Sequence, residues 1–117
     1  MKKILVADDE ISIRLLYSEE LQEEGYEVFT AANGKEAVAV VEKEPLDLVI
    51  LDIKMPEMDG IEALRQIKEK RPDLPVLLST AYGEYRQDFA TWASDEYLVK
   101  SSDLEDLRAA VKRHLRD

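Results

Sequence analysis

The residues able to do chemistry fall at four places along the chain. Asp8-Asp9-Glu10 follow Ile4-Leu5-Val6-Ala7, and Asp52 closes the run from Leu46 to Leu51. Ser79-Thr80 follow Val76-Leu77-Leu78, and Lys100 follows Tyr97-Leu98-Val99. Each group stands directly after an apolar run, where a strand ends. Brought together, Asp8, Asp9 and Asp52 would repel, and one carboxyl pKa would rise unless a cation sat among them. A donor set of oxygens alone selects a hard ion, Mg²⁺ or Mn²⁺, over zinc or copper. A lysine charge from Lys100 and a hydroxyl from Thr80 would complete a set suited to phosphoryl transfer, where charge develops on the phosphoryl oxygens. Asp52 is the natural nucleophile if its strand is central. Taken singly, each group has a plainer explanation. Asp8 or Glu10 would cap a following helix, Thr80 would sit in a turn, and Lys100 would be a surface lysine. Their common placement at strand ends favours the chemical reading.

Positioning these groups requires a particular architecture. The short β-branched or Leu-rich runs Ile4-Leu5-Val6, Glu27-Val28-Phe29, Leu46 to Leu51, Val76-Leu77-Leu78 and Tyr97-Leu98-Val99 alternate with stretches of helical spacing. Ile13, Leu16, Tyr17 and Leu21 share one helical face. Ala37, Val40 and Val41 share another, as do Ile61, Leu64 and Ile67. Leu104, Leu107, Val111 and Leu115 make the last stripe, and a short helix is expected from Tyr85 to Trp92. Asn33 with Glu36, Asp59 with Glu62 and Ser102 with Glu105 have the spacing of N-caps with a returning carboxylate. Five βα units predict a single doubly wound α/β domain over residues 1–117, with right-handed crossovers and a five-stranded parallel sheet of flavodoxin-like order 2-1-3-4-5. In that order strands 1 and 3 are neighbours at ~5 Å, so Asp8, Asp9 and Asp52 meet at the switch point where ligands bind.

Composition narrows the function classes. The chain has 117 residues, enough for one compact domain. A net charge of −10 argues against direct nucleic-acid binding, which needs a basic footprint. The absence of cysteine removes thiol catalysis and zinc–thiolate sites. The single histidine, His114, is expected to be exposed near the C-terminus of the last helix, not a phosphoryl carrier. Trp92 reads as a packing residue, and the run Glu19-Glu20 with Glu23-Glu24 as a solvated helix face. No apolar stretch approaches the ~20 residues of a bilayer crossing, so a cytoplasmic protein without membrane contact is expected.

The chain resembles the receiver domain of two-component response regulators. The resemblance runs from Ile4-Leu5-Val6-Ala7-Asp8-Asp9-Glu10 through Leu51-Asp52-Ile53-Lys54-Met55-Pro56-Glu57-Met58-Asp59-Gly60 to Ser79-Thr80-Ala81 and Tyr97-Leu98-Val99-Lys100. It implies aspartyl phosphorylation at Asp52, with Asp8 and Asp9 as the acidic pair that holds Mg²⁺ and the backbone carbonyl of Lys54 as a further ligand. It also implies Thr80 as the switch hydroxyl, Lys100 as the phosphate-binding lysine and Tyr97 as the switch aromatic. Lys54 and Tyr82, each two positions after a site residue, are expected to tune the phosphoryl lifetime. The segment Thr80-Ala81-Tyr82-Gly83-Glu84 is similar to the sporulation-phosphorelay branch. The implied donor is a sensor histidine kinase or a phosphotransfer protein. The implied output runs through the face of the fourth helix, strand 5 and fifth helix to an effector protein or a fused output domain. Two departures fall in that output half: Ser101 stands where the family usually has proline, and Ala93-Ser94 where it usually has Gly-Ala.

Other functions compete with this reading. A Mg²⁺-dependent phosphatase with an aspartyl intermediate would need a second aspartate two positions after Asp52, where Lys54 stands. The complete acidic pocket argues against a pseudo-receiver that binds partners without phosphorylation, while Ser101 argues weakly for it. A flavin-binding module would need a Ser/Thr/Gly-rich phosphate loop after strand 1, where Asp8-Asp9-Glu10 stand instead. A signalling phosphoacceptor, catalysing only its own phosphorylation and dephosphorylation, is the expected function.

Overall fold

The computed structural model describes residues 1–80, 94–100 and 104–115, without the side chains of Thr80 and Val99. Five strands, β1 (Lys3–Ala7), β2 (Glu27–Ala31), β3 (Leu48–Leu51), β4 (Val76–Thr80) and β5 (Glu96–Val99), form one parallel sheet in the order β2-β1-β3-β4-β5. This is the expected fold. The helices among the described residues are α1 (Ile11–Glu23), α2 (Gly34–Lys43), α3 (Gly60–Lys70) and α4 (Glu105–His114). The label α4 thus belongs to what the sequence reading counts as the fifth helix, because the helix expected from Tyr85 to Trp92 lies outside the described residues. Trp92, Tyr82, Ser101 and Ser102 lie outside them too.

Strand alternation divides the core into two layers. Leu5, Ala7, Val49, Leu51, Val76 and Leu78 face one side, where Ala37, Val38 and Val41 of α2 and Ala63, Leu64 and Ile67 of α3 cover them. Ile4, Val6, Leu48, Ile50 and Leu77 face the other, under Tyr17 and Leu21 of α1 and Leu107, Ala110 and Val111 of α4. All four residues of β3 are buried, as a central parallel strand covered on both faces requires.

Local signals set the helix starts. The Asn33 Oδ1 accepts the Glu36 N–H at 2.9 Å, and the Asp59 Oδ1 accepts the Glu62 N–H at 2.9 Å. Glu36 returns its carboxylate to the N–H of Ala32. At α1 the cap residue is Glu10, whose own side chain makes no capping bond; the Asp8 Oδ1 instead accepts the Glu10 N–H at 2.9 Å. Leu104 occupies the cap position of α4 without a side-chain bond.

Three surface expectations change. On α1, Tyr17 and Leu21 are buried and Ile13 is partly covered, but Leu16 is exposed together with Ile11 and Leu15. The helical stripe is real, but the sheet covers only part of it. The acidic run is not wholly solvated: Glu20 meets the Arg108 Nη1 at 2.5 Å and Glu24 meets the Lys112 Nζ at 3.4 Å, tying α1 to α4. His114 is half-buried against β5, its Nε2 2.9 Å from the Glu96 Oε1. Among the described residues no helix is long and apolar enough to cross a membrane.

Candidate functional site

Parallel register builds the site. Ala7 pairs with Leu51, so the next residue of each strand, Asp8 and Asp52, emerges side by side. Backbone bonds hold both in place: the Asp52 N–H donates to Ala7 O at 2.9 Å and the Asp8 N–H to Ala31 O at 3.0 Å. Asp8 and Asp52 are buried and Asp9 is exposed. Oxygens of all three carboxylates lie within 4.8 Å of one another, and no other such cluster exists among the described residues. β5 delivers the cation. Its last residue, Val99, pairs with Thr80, and Lys100 follows. The Lys100 Nζ is 2.5 Å from the Asp8 Oδ2 and 3.5 Å from the Asp52 Oδ2, with only 12% of its side chain exposed.

One ammonium does not balance three carboxylates. Burial, reinforced by the Asp8 charge, raises the Asp52 pKa from its ordinary 3.8 to about 6, and Lys100 offsets only part of this. Burial also disfavours the Lys100 charge, but its bond to Asp8 and the Asp52 carboxylate outweigh that and raise its pKa. The surplus of negative charge on oxygen donors alone fits a hard divalent cation. A groove of about 720 Å³ opens beside the cluster, lined by Asp9, Ile53, Lys54, Met55, Pro56, Asp59 and Ile61. Lys54 therefore lines the same groove as Asp9.

The structure thus gathers Asp8, Asp9, Asp52, Lys54 and Lys100 as the sequence suggests. Thr80 closes β4 at the same sheet edge, but its hydroxyl lies outside the described residues, as does Tyr82. Tyr97 lies in β5 opposite Leu78 and packs, half-buried, against the layer covered by α2 and α3. Sequence reasoning did not anticipate that Lys100 sits closer to Asp8 than to Asp52. Nor did it find the contact between Asn33 and Glu57, whose Nδ2 and Oε2 are 3.0 Å apart. The φ of +66° at Glu57 is not encoded by a glycine, so no local signal marks that contact.

A doubly wound sheet with this carboxylate cluster and lysine at its switch point defines a class, and comparison with known proteins agrees. The chain belongs to the response regulator receiver domain family, whose model matches residues 4–112. It is 42% identical over 116 residues to sporulation initiation phosphotransferase F of Bacillus subtilis, covering 97% of this chain and 94% of that one. It is 39% identical to the probable transcriptional regulator ycf27 of Cyanophora paradoxa, but spans only 48% of that longer protein. Among solved structures, the response regulator TrrA of Thermotoga maritima in complex with Mg²⁺-BeF superposes with a TM-score of 0.96 at 51% identity, covering 98% of this chain and all of that one. TrrA in complex with the histidine kinase ThkA gives 0.92 at the same identity, covering 98% of this chain and 99% of that one. As a receiver domain, the chain is a phosphoacceptor switch of two-component signalling.

Proposed function

We propose that residues 1–117 act as one receiver domain in which Asp52 takes the phosphoryl group. The observation that carries this assignment is the convergence of three carboxylates and Lys100 at the ends of β1, β3 and β5, with Asp52 on the central strand. An Asp52 oxygen attacks the donor phosphorus in line; the P–N bond of a phosphohistidine, or the P–O bond of a small acyl phosphate, breaks with its electron pair on the leaving group. With a pKa near 6, Asp52 is mostly ionised at neutral pH and able to attack. Asp9 and Asp52 would hold Mg²⁺, with Asp8 mainly acting through water and the Lys54 carbonyl as a further ligand. Bound there, Mg²⁺ supplies positive charge to the oxygens of the transferring group. Lys100 then moves its contact from Asp8 toward the new phosphoryl oxygens, which add roughly −1.5 to −2 charge. Thr80 and Tyr97 respond as the switch pair, and Lys54 and Tyr82 set the lifetime by steering water. The domain turns over no substrate beyond its own phosphorylation and dephosphorylation.

The donor we assign is a histidine kinase or phosphotransfer protein of the cytoplasm. TrrA forms a complex with a histidine kinase, and this chain offers an apolar docking surface beside its pocket. Ile11 begins α1 directly after Asp8-Asp9-Glu10, and Ile11, Leu15 and Leu16 are exposed on that helix. Such a patch at the mouth of a charged site suits a partner that brings its own apolar helix. Output passes to an effector protein or a fused output domain through the face that includes β5 and α4. Acetyl phosphate with Mg²⁺ should add one phosphoryl group, located at Asp52 by mass spectrometry. Labelling at another residue, or none with Mg²⁺ present, would refute the assignment.

A further inference from the structure

The loop from Asp52 to Gly60 is tied at three points. The Gly60 N–H donates to Ile53 O at 2.7 Å, and a Cβ at position 60 would run into the Asp52 carbonyl. Inside the loop, the Met58 N–H donates to Pro56 O at 2.7 Å. The third tie comes from outside, from the turn between β2 and α2. There the Gly34 N–H donates to Met58 O at 2.9 Å, and a Cβ on Gly34 would run into that same carbonyl. Beside it, the Asn33 Nδ2 donates to the Glu57 Oε2 at 3.0 Å.

Two features set the Asn33 contact apart from ordinary capping. Asn33 is buried, 7% exposed, although an N-cap needs only its oxygen, which the Glu36 N–H already occupies. Its amide nitrogen is turned to carboxylates, Glu57 at 3.0 Å and Glu36 at 3.4 Å. Glu57, for its part, holds φ at +66°, a conformation that favours glycine. A glutamate there gives up the easier backbone and gains the reach to Asn33.

We propose that Asn33 and Glu57 are positioning residues for Mg²⁺: they strap the 52–60 loop to the β2–α2 turn and so fix the Lys54 peptide against Asp9 and Asp52. The proposal rests on the metal reading above and extends it to residues that touch no ligand. The reason is geometric. Mg²⁺ accepts oxygens only in near-octahedral arrangement at about 2.1 Å. A side-chain carboxylate can rotate to meet that demand, but a backbone carbonyl is aimed only by the conformation of its loop. Lys54 lies between the buried Ile53 and Met55, inside the segment that these ties enclose, and lines the groove with Asp9.

The test uses three variants of the full chain. Asn33→Asp keeps a strong N-cap but replaces the donor with a carboxylate facing Glu57. Glu57→Gln alone retains an acceptor for Asn33. In the double variant N33D/E57Q the introduced carboxylate accepts from the introduced amide, restoring the strap with its polarity reversed. Calorimetric titration with Mg²⁺ should show N33D weakened about tenfold, the low end for partners that orient a metal ligand. E57Q should lie near the parent, and the double variant should recover most of the loss. Labelling of N33D by acetyl phosphate should be slow at limiting Mg²⁺ and reach the parent rate at saturation, a recovery that mere loss of fold would not give. A parent that binds Mg²⁺ while N33D matches it would overturn the strap alone, as would failure of the double variant to recover. A parent with no saturable Mg²⁺ binding would overturn the metal reading and the strap together.

Discussion

The two ends of the sheet treat charge in opposite ways. At the carboxyl ends of the strands, Asp8, Asp9 and Asp52 crowd together, the Lys100 ammonium lies against Asp8 and Asp52, and Asp52 is pushed up to about 6. At the amino ends of β4 and β5, carboxylates meet enough donors. Asp95 accepts from the Lys68 Nζ at 2.8 Å and the Val76 N–H at 2.7 Å. Glu96 accepts from the Arg113 guanidinium and lies 2.9 Å from the His114 Nε2. Burial works against both charges there, but these bonds outweigh it and hold both carboxyls below their usual range. The far end is satisfied and fastens β5 to α3 and α4. The pocket is left with surplus negative charge, so a cation or a new bonding partner changes its balance most. The proposed site occupies the end where the charges do not cancel.

Neutralising the pocket gives the largest contrast. Asp52→Asn should abolish labelling by acetyl phosphate and make the fold more stable at pH 7 in Mg²⁺-free buffer. A rise from 3.8 to about 6 corresponds to roughly 3 kcal/mol as an upper figure. The folded value lies above the unfolded one, so the penalty is absent below pH 3.8, grows as pH rises, and is complete above about 6. Denaturant titrations across that range should show the parent losing stability relative to the variant as pH increases. A destabilised Asp52→Asn would erase the contrast between the two ends.

Lys100→Met should come next. It removes the ammonium that lies against Asp8 and Asp52, so the Asp52 midpoint should move above 6 and labelling slow on the order of a hundredfold. Leu15→Ser should act on partner transfer alone. Transfer from a phosphorylated histidine kinase should fall about tenfold, the cost of one apolar anchor at an interface, while acetyl phosphate labelling stays at the parent rate. Equal loss from both donors would move the docking surface elsewhere. The smallest effect belongs to the satisfied end. Asp95→Asn should destabilise by about 1 kcal/mol, because the carboxylate is partly exposed and screened. With its folded value depressed, Asp95 contributes above its unfolded pKa and loses that contribution as pH falls through the folded one. Labelling at Asp52 should not change.

What the sequence disclosed followed from how local each signal is. Strand ends are local: an apolar run stops and a charged residue follows, so sequence alone assigns Asp8, Asp52 and Lys100 to one sheet edge. Asn33 and Asp59 were legible as caps because the partner N–H lies three residues on. Leu16 was misplaced because periodicity defines a helical face without saying how wide a strip the sheet covers. His114 was misread because its partner, Glu96, is brought to it only by docking of α4 on β5. Glu20 and Glu24 looked solvated because Arg108 and Lys112 are distant in sequence. The preference of Lys100 for Asp8 depends on side-chain reach across the sheet edge, which residue type does not encode.

The central claim is that the pocket holds more negative charge than its own residues can balance. A carbon-detected NMR titration of the Asp52 carboxyl, with and without Mg²⁺, measures that directly. A midpoint near 6 in metal-free buffer, falling when Mg²⁺ is added, is the predicted result. A midpoint at the ordinary 3.8 that Mg²⁺ leaves unmoved would contradict it.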